Sequence, residues 1–216
     1  MPRLALLLFL AAGLAACASD LVETAVRQGD RAMNRLRYTE AVEHFDRAIA
    51  ADAERADAFL GRGRAYWAMG QFENAVADLD RAIDLDPGGA WAYYFRGSSR
   101  LQLGRFEPGI EDLVEAARTE GLPVEDRRRA HYLRAVAHMH LEQYGAGIEA
   151  LTESIALRPD FAFYYFERGQ LYEMTGQTDA AVADFEQYLS LAEPDTELAE
   201  QAQQRLAALR PATATS

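Results

Sequence analysis

The side chains able to do chemistry are few in kind: one cysteine, four histidines and a surplus of carboxylates. Cys17 is the sole thiol, so no disulfide forms within the chain, and the thiol itself is left as a nucleophile that can be alkylated. His131, His138 and His140 lie close in sequence, and His131 and His138, seven apart, share one helical face. Zinc would ask for histidines four apart with a carboxylate or cysteine beside them, and no His-Glu-x-x-His run exists. Both histidines fall at positions of packing aromatics, so a core role accounts for them. Glu43, Asp46, Asp78, Asp80, Asp84, Glu111, Asp112, Glu149 and Glu153 recur at helical spacing and read as a solvated face, not an acid–base pair. Gly-x-Ser-x-Gly, phosphate-loop and dinucleotide patterns are absent. The expectation is a chain that is not an enzyme and holds no cofactor or metal.

The element that positions Cys17 is an address. Met1–Arg3 is a short, weakly positive start, and Leu4–Leu14 is apolar but too short to span a bilayer as a helix. Leu14-Ala15-Ala16-Cys17 comes next, which completes the layout of a secretory signal: charge, apolar run, small residues at the cut. A cysteine directly after Leu-Ala-Ala resembles the bacterial lipobox. That resemblance implies a diacylglycerol on the Cys17 sulfur, cleavage after Ala16 and fatty-acyl (palmitate-type) chains as a membrane anchor. An ordinary signal peptide that happens to contain a cysteine is the alternative. The resulting division is 1–16 signal peptide and 17–21 lipidated cysteine with a short linker. Ala18, in place of an aspartate, resembles the enteric signal for sorting to the outer membrane, with the chain facing the periplasm. Ala18–Leu21 reaches only about 14 Å at full stretch, so the domain beyond Leu21 sits close to the anchor.

Beyond Leu21 the chain repeats. Tyr38–Ile49, Phe72–Ile83, Phe106–Ala117, Tyr144–Ile155 and Thr178–Leu189 align without gaps, and their fourth slots hold Ala41, Ala75, Gly109, Gly147 and Ala181. Those positions are 34, 34, 38 and 34 residues apart. In the upstream halves, Phe59–Tyr66 and Tyr165–Tyr172 share an aromatic–small–aromatic spacing, Tyr93–Arg100 follows it with Arg100 in place of the last aromatic, and Pro87 and Pro159 close two of the units. Gly63, Gly97 and Gly169 are placed to let two helices approach, and Gly70, Gly104 and Gly176 to end the first helix of each pair in the left-handed conformation. The step of 38 marks four extra residues between Leu122 and Arg129, expected as a longer loop or an extra helical turn.

The 34-residue period with these slots resembles the tetratricopeptide repeat. The resemblance implies an all-α, right-handed superhelical solenoid of about five helical hairpins, at 22–55, 56–89, 90–123, 128–161 and 162–195. Arg62, Arg96, Arg134 and Arg168 depart from it, since that slot is usually leucine. Leu198, Ala202, Leu206 and Leu209 recur at helical spacing, so 196–209 reads as a capping helix, with 210–216 as a flexible tail. In such arrays the first helices line an inner groove. Carried over slot by slot, the groove would be lined by Arg64, Trp67, Trp91, Tyr94, Arg129, Tyr132, Met139, Phe163 and Phe166. Aromatics and arginine dominate binding hot spots, and packing against neighbouring helices is the competing explanation. The carboxylate clamp of chaperone-binding members is missing, because its slots hold Val26, Asp30, Leu60 and Arg64.

With a net charge of −12, the chain repels nucleic-acid phosphates, so no nucleic acid is expected as a partner. Lipobox and repeats together resemble the small tetratricopeptide lipoproteins of the NlpI type. That implies a membrane-anchored scaffold in the bacterial envelope, recruiting cell-wall or proteolytic enzymes through a hydrophobic or amphipathic segment held in the groove. The alternative is an assembly subunit, pilotin-like or part of outer-membrane biogenesis.

Overall fold

Apolar side chains spaced three and four apart make one stripe of each helix bury itself, and the glycine-bearing turns fold each helix back on the last. The computed structural model describes residues 20–193 and 196–210. Cys17, the expected signal segment 1–16 and the expected tail beyond Arg210 lie outside the described residues. Among the described residues there are eleven helices and no strand: α1 (20–34), α2 (Tyr38–Ala51), α3 (Ala56–Ala68), α4 (Phe72–Leu85), α5 (Ala90–Gln102), α6 (Phe106–Arg118), α7 (Val124–His140), α8 (Tyr144–Leu157), α9 (Ala162–Met174), α10 (Thr178–Leu191) and α11 (Glu197–Leu209). No described helix is long and apolar enough to cross a membrane. The helices fall into two units, Met1–Gly104 and Arg105–Ser216.

In the first unit α3 packs on α2, α4 and α5. Its first core is Phe45, fully buried with Ala41, Ala48 and Ala58 and flanked by the buried Val26. The ring lies between Gly29 and Gly61, and a Cβ at either glycine would stand within 2.9 Å of three ring atoms. Gly63 plays the role expected of it: a Cβ there would meet the Leu79 side chain at 2.8 Å and the Ala75 carbonyl oxygen at 3.4 Å. In the second unit α7 packs on α6 and α8, α9 on α8 and α10, and α11 on α10. Phe166, Phe185, Tyr188, Ala202 and Leu206 form the terminal core, which α11 closes; Thr196 caps α11, its Oγ1 accepting from the Ala199 N–H at 3.2 Å.

The turns obey local rules. Gly70, Gly104 and Gly176 have φ of +74°, +71° and +73°, and after Gly70 the Gln71 N–H bonds back to the Tyr66 carbonyl at 2.9 Å, as the Gln177 N–H does to Tyr172 at 2.8 Å. Two equivalent turns lack the glycine: Leu36 and Glu142 sit at φ +59° and +57°. A Cβ in that region is strained, and Leu36 is 72% exposed, so its side chain offers little packing in return. Leu36→Gly is therefore expected to stabilise the fold by about 0.5–1 kcal/mol after the extra backbone entropy of glycine is subtracted. A urea-unfolding midpoint that falls instead would show that the leucine has a packing role.

The four extra residues become helix. α7 has 17 residues where α3, α5 and α9 have 13. Pro123 precedes it as N-cap, and Glu125 and Asp126 place negative charge on its first turn, where the helix dipole favours it.

The carboxylates correct the expectation of a purely solvated face. Asp78, Asp112 and Asp184 are 7%, 4% and 5% exposed. Two of these explain arginine in a leucine slot. Arg62 grips Asp78 through Nε and Nη2, both at 2.7 Å, and extends Nη1 to Asp46. Arg168 grips Asp184 through Nε at 2.7 Å and Nη2 at 2.8 Å, and extends Nη1 to Thr152 at 2.8 Å. Each guanidinium thus joins the second helix of its own hairpin to that of the hairpin before. The aliphatic stem does the packing leucine would do, while the planar head supplies a bidentate bond. Arg134 has Ala150 sixteen residues on, so it takes Glu153 at 2.7 Å instead, and its Nε is buried without a partner.

Candidate functional site

The first-helix residues gather into one aromatic cluster in each unit. In the first, Trp67 of α3 and Trp91 of α5 stand half-buried, both in contact with Phe95. Trp67 meets Phe95 edge-on with centroids 5.1 Å apart; Trp91 stacks on it at 5.6 Å and 19°. Tyr94 meets Trp91 edge-on at 5.8 Å, and the Arg64 guanidinium lies 5.4 Å from the Phe95 ring. The Trp67 indole N–H donates to Ser98 Oγ at 3.0 Å, so the ring is oriented as well as packed. Arg64 Nε is buried and unpartnered.

In the second unit the half-buried Tyr132 of α7 meets Phe163 of α9 edge-on at 5.8 Å and Tyr164 at 5.1 Å. Burial, and secondarily the nearby Glu167 carboxylate, pushes the Tyr132 phenol up to about 12, so it remains a neutral donor. Glu167 lies one helical turn beyond Phe163, half-buried, and among the described residues its carboxylate has no hydrogen bond or ion pair. Burial alone raises its pKa. Protonation is therefore easier in the folded chain than in the unfolded one. The group adds stability below its unfolded pKa, and that stability is lost as pH rises through the folded value. Glu167→Gln is expected to raise the melting temperature at pH 7, with the difference from the parent shrinking towards pH 4. A difference independent of pH would mean that the carboxylate is not the cause.

Several expected groove residues are placed elsewhere. Phe166 is 1% exposed and packs on Phe185 at 5.8 Å and Tyr188 at 5.2 Å; it is core, because its slot faces the capping end of the terminal hairpin. Tyr94 is also buried, at 8%. Met139 packs against the Leu151–Leu171 core. Arg129 is exposed and holds Asp126 at 3.3 Å, while its neighbour Arg128 takes the inward position. Arg128 is 3% exposed, donates to Tyr164 Oη and to Glu125, and lies 4.6 Å from the Phe161 ring and 5.0 Å from Tyr164. Sequence reasoning missed Phe95, Tyr164 and Arg128. Their only signal was adjacency to the predicted groove slots.

The three histidines clustered in sequence are spoken for by their neighbours. His131 Nδ1 lies 2.9 Å from Glu153, and burial lowers its pKa; His138 bonds Gln143 at 2.8 Å; His140 stacks on Phe106 at 4.9 Å. Among the described residues no three His, Cys, Asp or Glu side chains converge as a metal site.

Solved structures share this fold at low identity. MamA matches with a TM-score of 0.72 and 22% identity over 90% of this chain and 98% of that one. YrrB, described as a tetratricopeptide protein with an unusual peptide-binding site, matches with a TM-score of 0.71 and 16% identity over 83% and 90%. PilF of Pseudomonas aeruginosa matches with a TM-score of 0.68 and 15% identity over 89% and 90%. No curated protein matches the chain. The tetratricopeptide repeat family model matches four times, at residues 26–90, 60–123, 94–160 and 132–196. Period, turn chemistry, hairpin packing and family model therefore agree: the chain belongs to the tetratricopeptide repeat family, whose fold serves as a scaffold for protein–protein interaction.

Proposed function

We propose that the chain is a lipid-anchored scaffold of the bacterial cell envelope, holding a hydrophobic or amphipathic segment of a partner protein against its first helices. The observation that carries this is the pair of aromatic clusters. Trp67, Trp91, Tyr132 and Phe163 remain half-buried on first helices, while Phe45, Phe166 and Phe185 are enclosed as core. Partly covered tryptophan and tyrosine beside arginine offer large contact area at small entropic cost. The anchor rests on Leu14-Ala15-Ala16-Cys17, the outer-membrane assignment on Ala18, and recruitment of envelope enzymes on the likeness to NlpI-type lipoproteins.

The test is capture of envelope proteins on the immobilised chain from Ser19 onward, beside a Trp91→Ala/Phe163→Ala variant of unchanged helicity. A partner held by the parent and lost by the variant is the expected result. Equal retention would remove the first-helix reading. Cys17→Ser in cells should abolish both palmitate labelling and membrane retention; persistence of both would remove the anchor.

A further inference from the structure

We propose that the turn end of the α1–α2 hairpin is a binding site for a phosphate-bearing ligand. A hollow of about 240 Å³ opens there, lined by Gln28, Arg31 and Arg35 of α1 and its turn, Arg37, and Glu40 and His44 of α2. In a chain of net charge −12, arginines commonly hold carboxylates, yet Arg31 and Arg35 are exposed and, among the described residues, their side chains carry no hydrogen bond or ion pair. Arg37 pairs with Glu40 at 2.8 Å. Three guanidiniums thus face a single carboxylate.

The C-terminal end of α1 favours positive charge, which accounts for one cation near its last turn. It does not account for three, since like charges one helical turn apart oppose each other. His44 adds a half-buried imidazole whose Nε2 lies 3.7 Å from Glu40 and whose Nδ1 is buried without a partner. Gln28 contributes an amide donor. A single carboxylate is satisfied by one bidentate arginine; a phosphate dianion offers three acceptor oxygens, which suits several arginines lining one hollow. The volume exceeds the roughly 30 Å³ of a water molecule several-fold, leaving room for a phosphate ester as well as the bare ion. A lipid headgroup and a soluble phosphoryl compound share this chemistry, and the experiment separates them.

The full chain carrying Cys17→Ser, which removes any acyl contribution, is titrated with inorganic phosphate at constant ionic strength. Binding is followed by phosphorus NMR line width and by melting temperature, with chloride as control. The same chain is sedimented with phosphatidylcholine vesicles with and without phosphatidic acid. Arg31→Gln/Arg35→Gln, both at exposed positions, should not lower the ligand-free melting temperature. Saturable phosphate binding weakened at least tenfold by the double substitution, about 1.4 kcal/mol, is the expected result and identifies a soluble ligand. Binding confined to phosphatidic acid vesicles and lost in the double variant also upholds the site, with a lipid headgroup as its source. Binding of either probe unaffected by the substitutions, or binding of neither, overturns it.

Discussion

Asp184→Ala is expected to lower the stability of the second unit by about 3 kcal/mol, because it leaves the largely covered Arg168 guanidinium without its anion. Both Arg168 bonds to this carboxylate are short, and the side chains are only 15% and 7% exposed, so water replaces the lost partner poorly. The cost is one of abandonment and not the net worth of the pair. The double variant Arg168→Leu/Asp184→Ala should therefore recover most of the loss, since leucine restores the apolar packing this slot usually has and leaves no charge behind. Urea unfolding followed by far-UV circular dichroism reads both effects. Additive losses in the double variant would show that the ion pair is an independent contributor and not a linked unit.

Gly61→Ala should be the most damaging single methyl group in the first unit. The new Cβ would fall within 2.9 Å of three atoms of the Phe45 ring, and Gly29 bars the ring's retreat on its other side. Overpacking of this kind costs about 3 kcal/mol when neither neighbour can give way. Phe45→Leu should partly rescue Gly61→Ala, since the smaller side chain vacates the space, although alone it leaves a cavity. Both tryptophans lie in residues 1–104, so their fluorescence reports this unit directly. A full-strength parental transition in Gly61→Ala would mean that the packing around Phe45 is looser than the ring contacts indicate.

How much of the fold was legible in the sequence depends on how far apart the deciding residues are. The repeat itself was legible: small residues 34 apart, and glycines where a helix must end left-handed, are demands of local sterics. The length anomaly was legible too, as four extra residues, but its form was open. Acidic residues behind Pro123 favour an added helical turn over a loop, and Arg128 then secures that turn by reaching Tyr164 on another helix.

The candidate site was legible only as a set of residue types. Trp67, Trp91, Tyr132 and Phe163 stand half-buried in the aromatic clusters of the first helices, whereas Phe166, also a first-helix aromatic, is core. No local rule separates them, because exposure depends on whether another helix covers the ring. The same holds for charge. Asp78 and Asp184 look like any acidic helix face, and become buried only because an arginine sixteen residues earlier crosses the hairpin to meet them. Sequence by itself determined the helical period, the glycine turns and the family, all set by backbone sterics and side-chain size within one repeat. Tertiary structure alone decided which charges are paired and which rings stay half-open, because burial is a property of neighbours that only folding brings together.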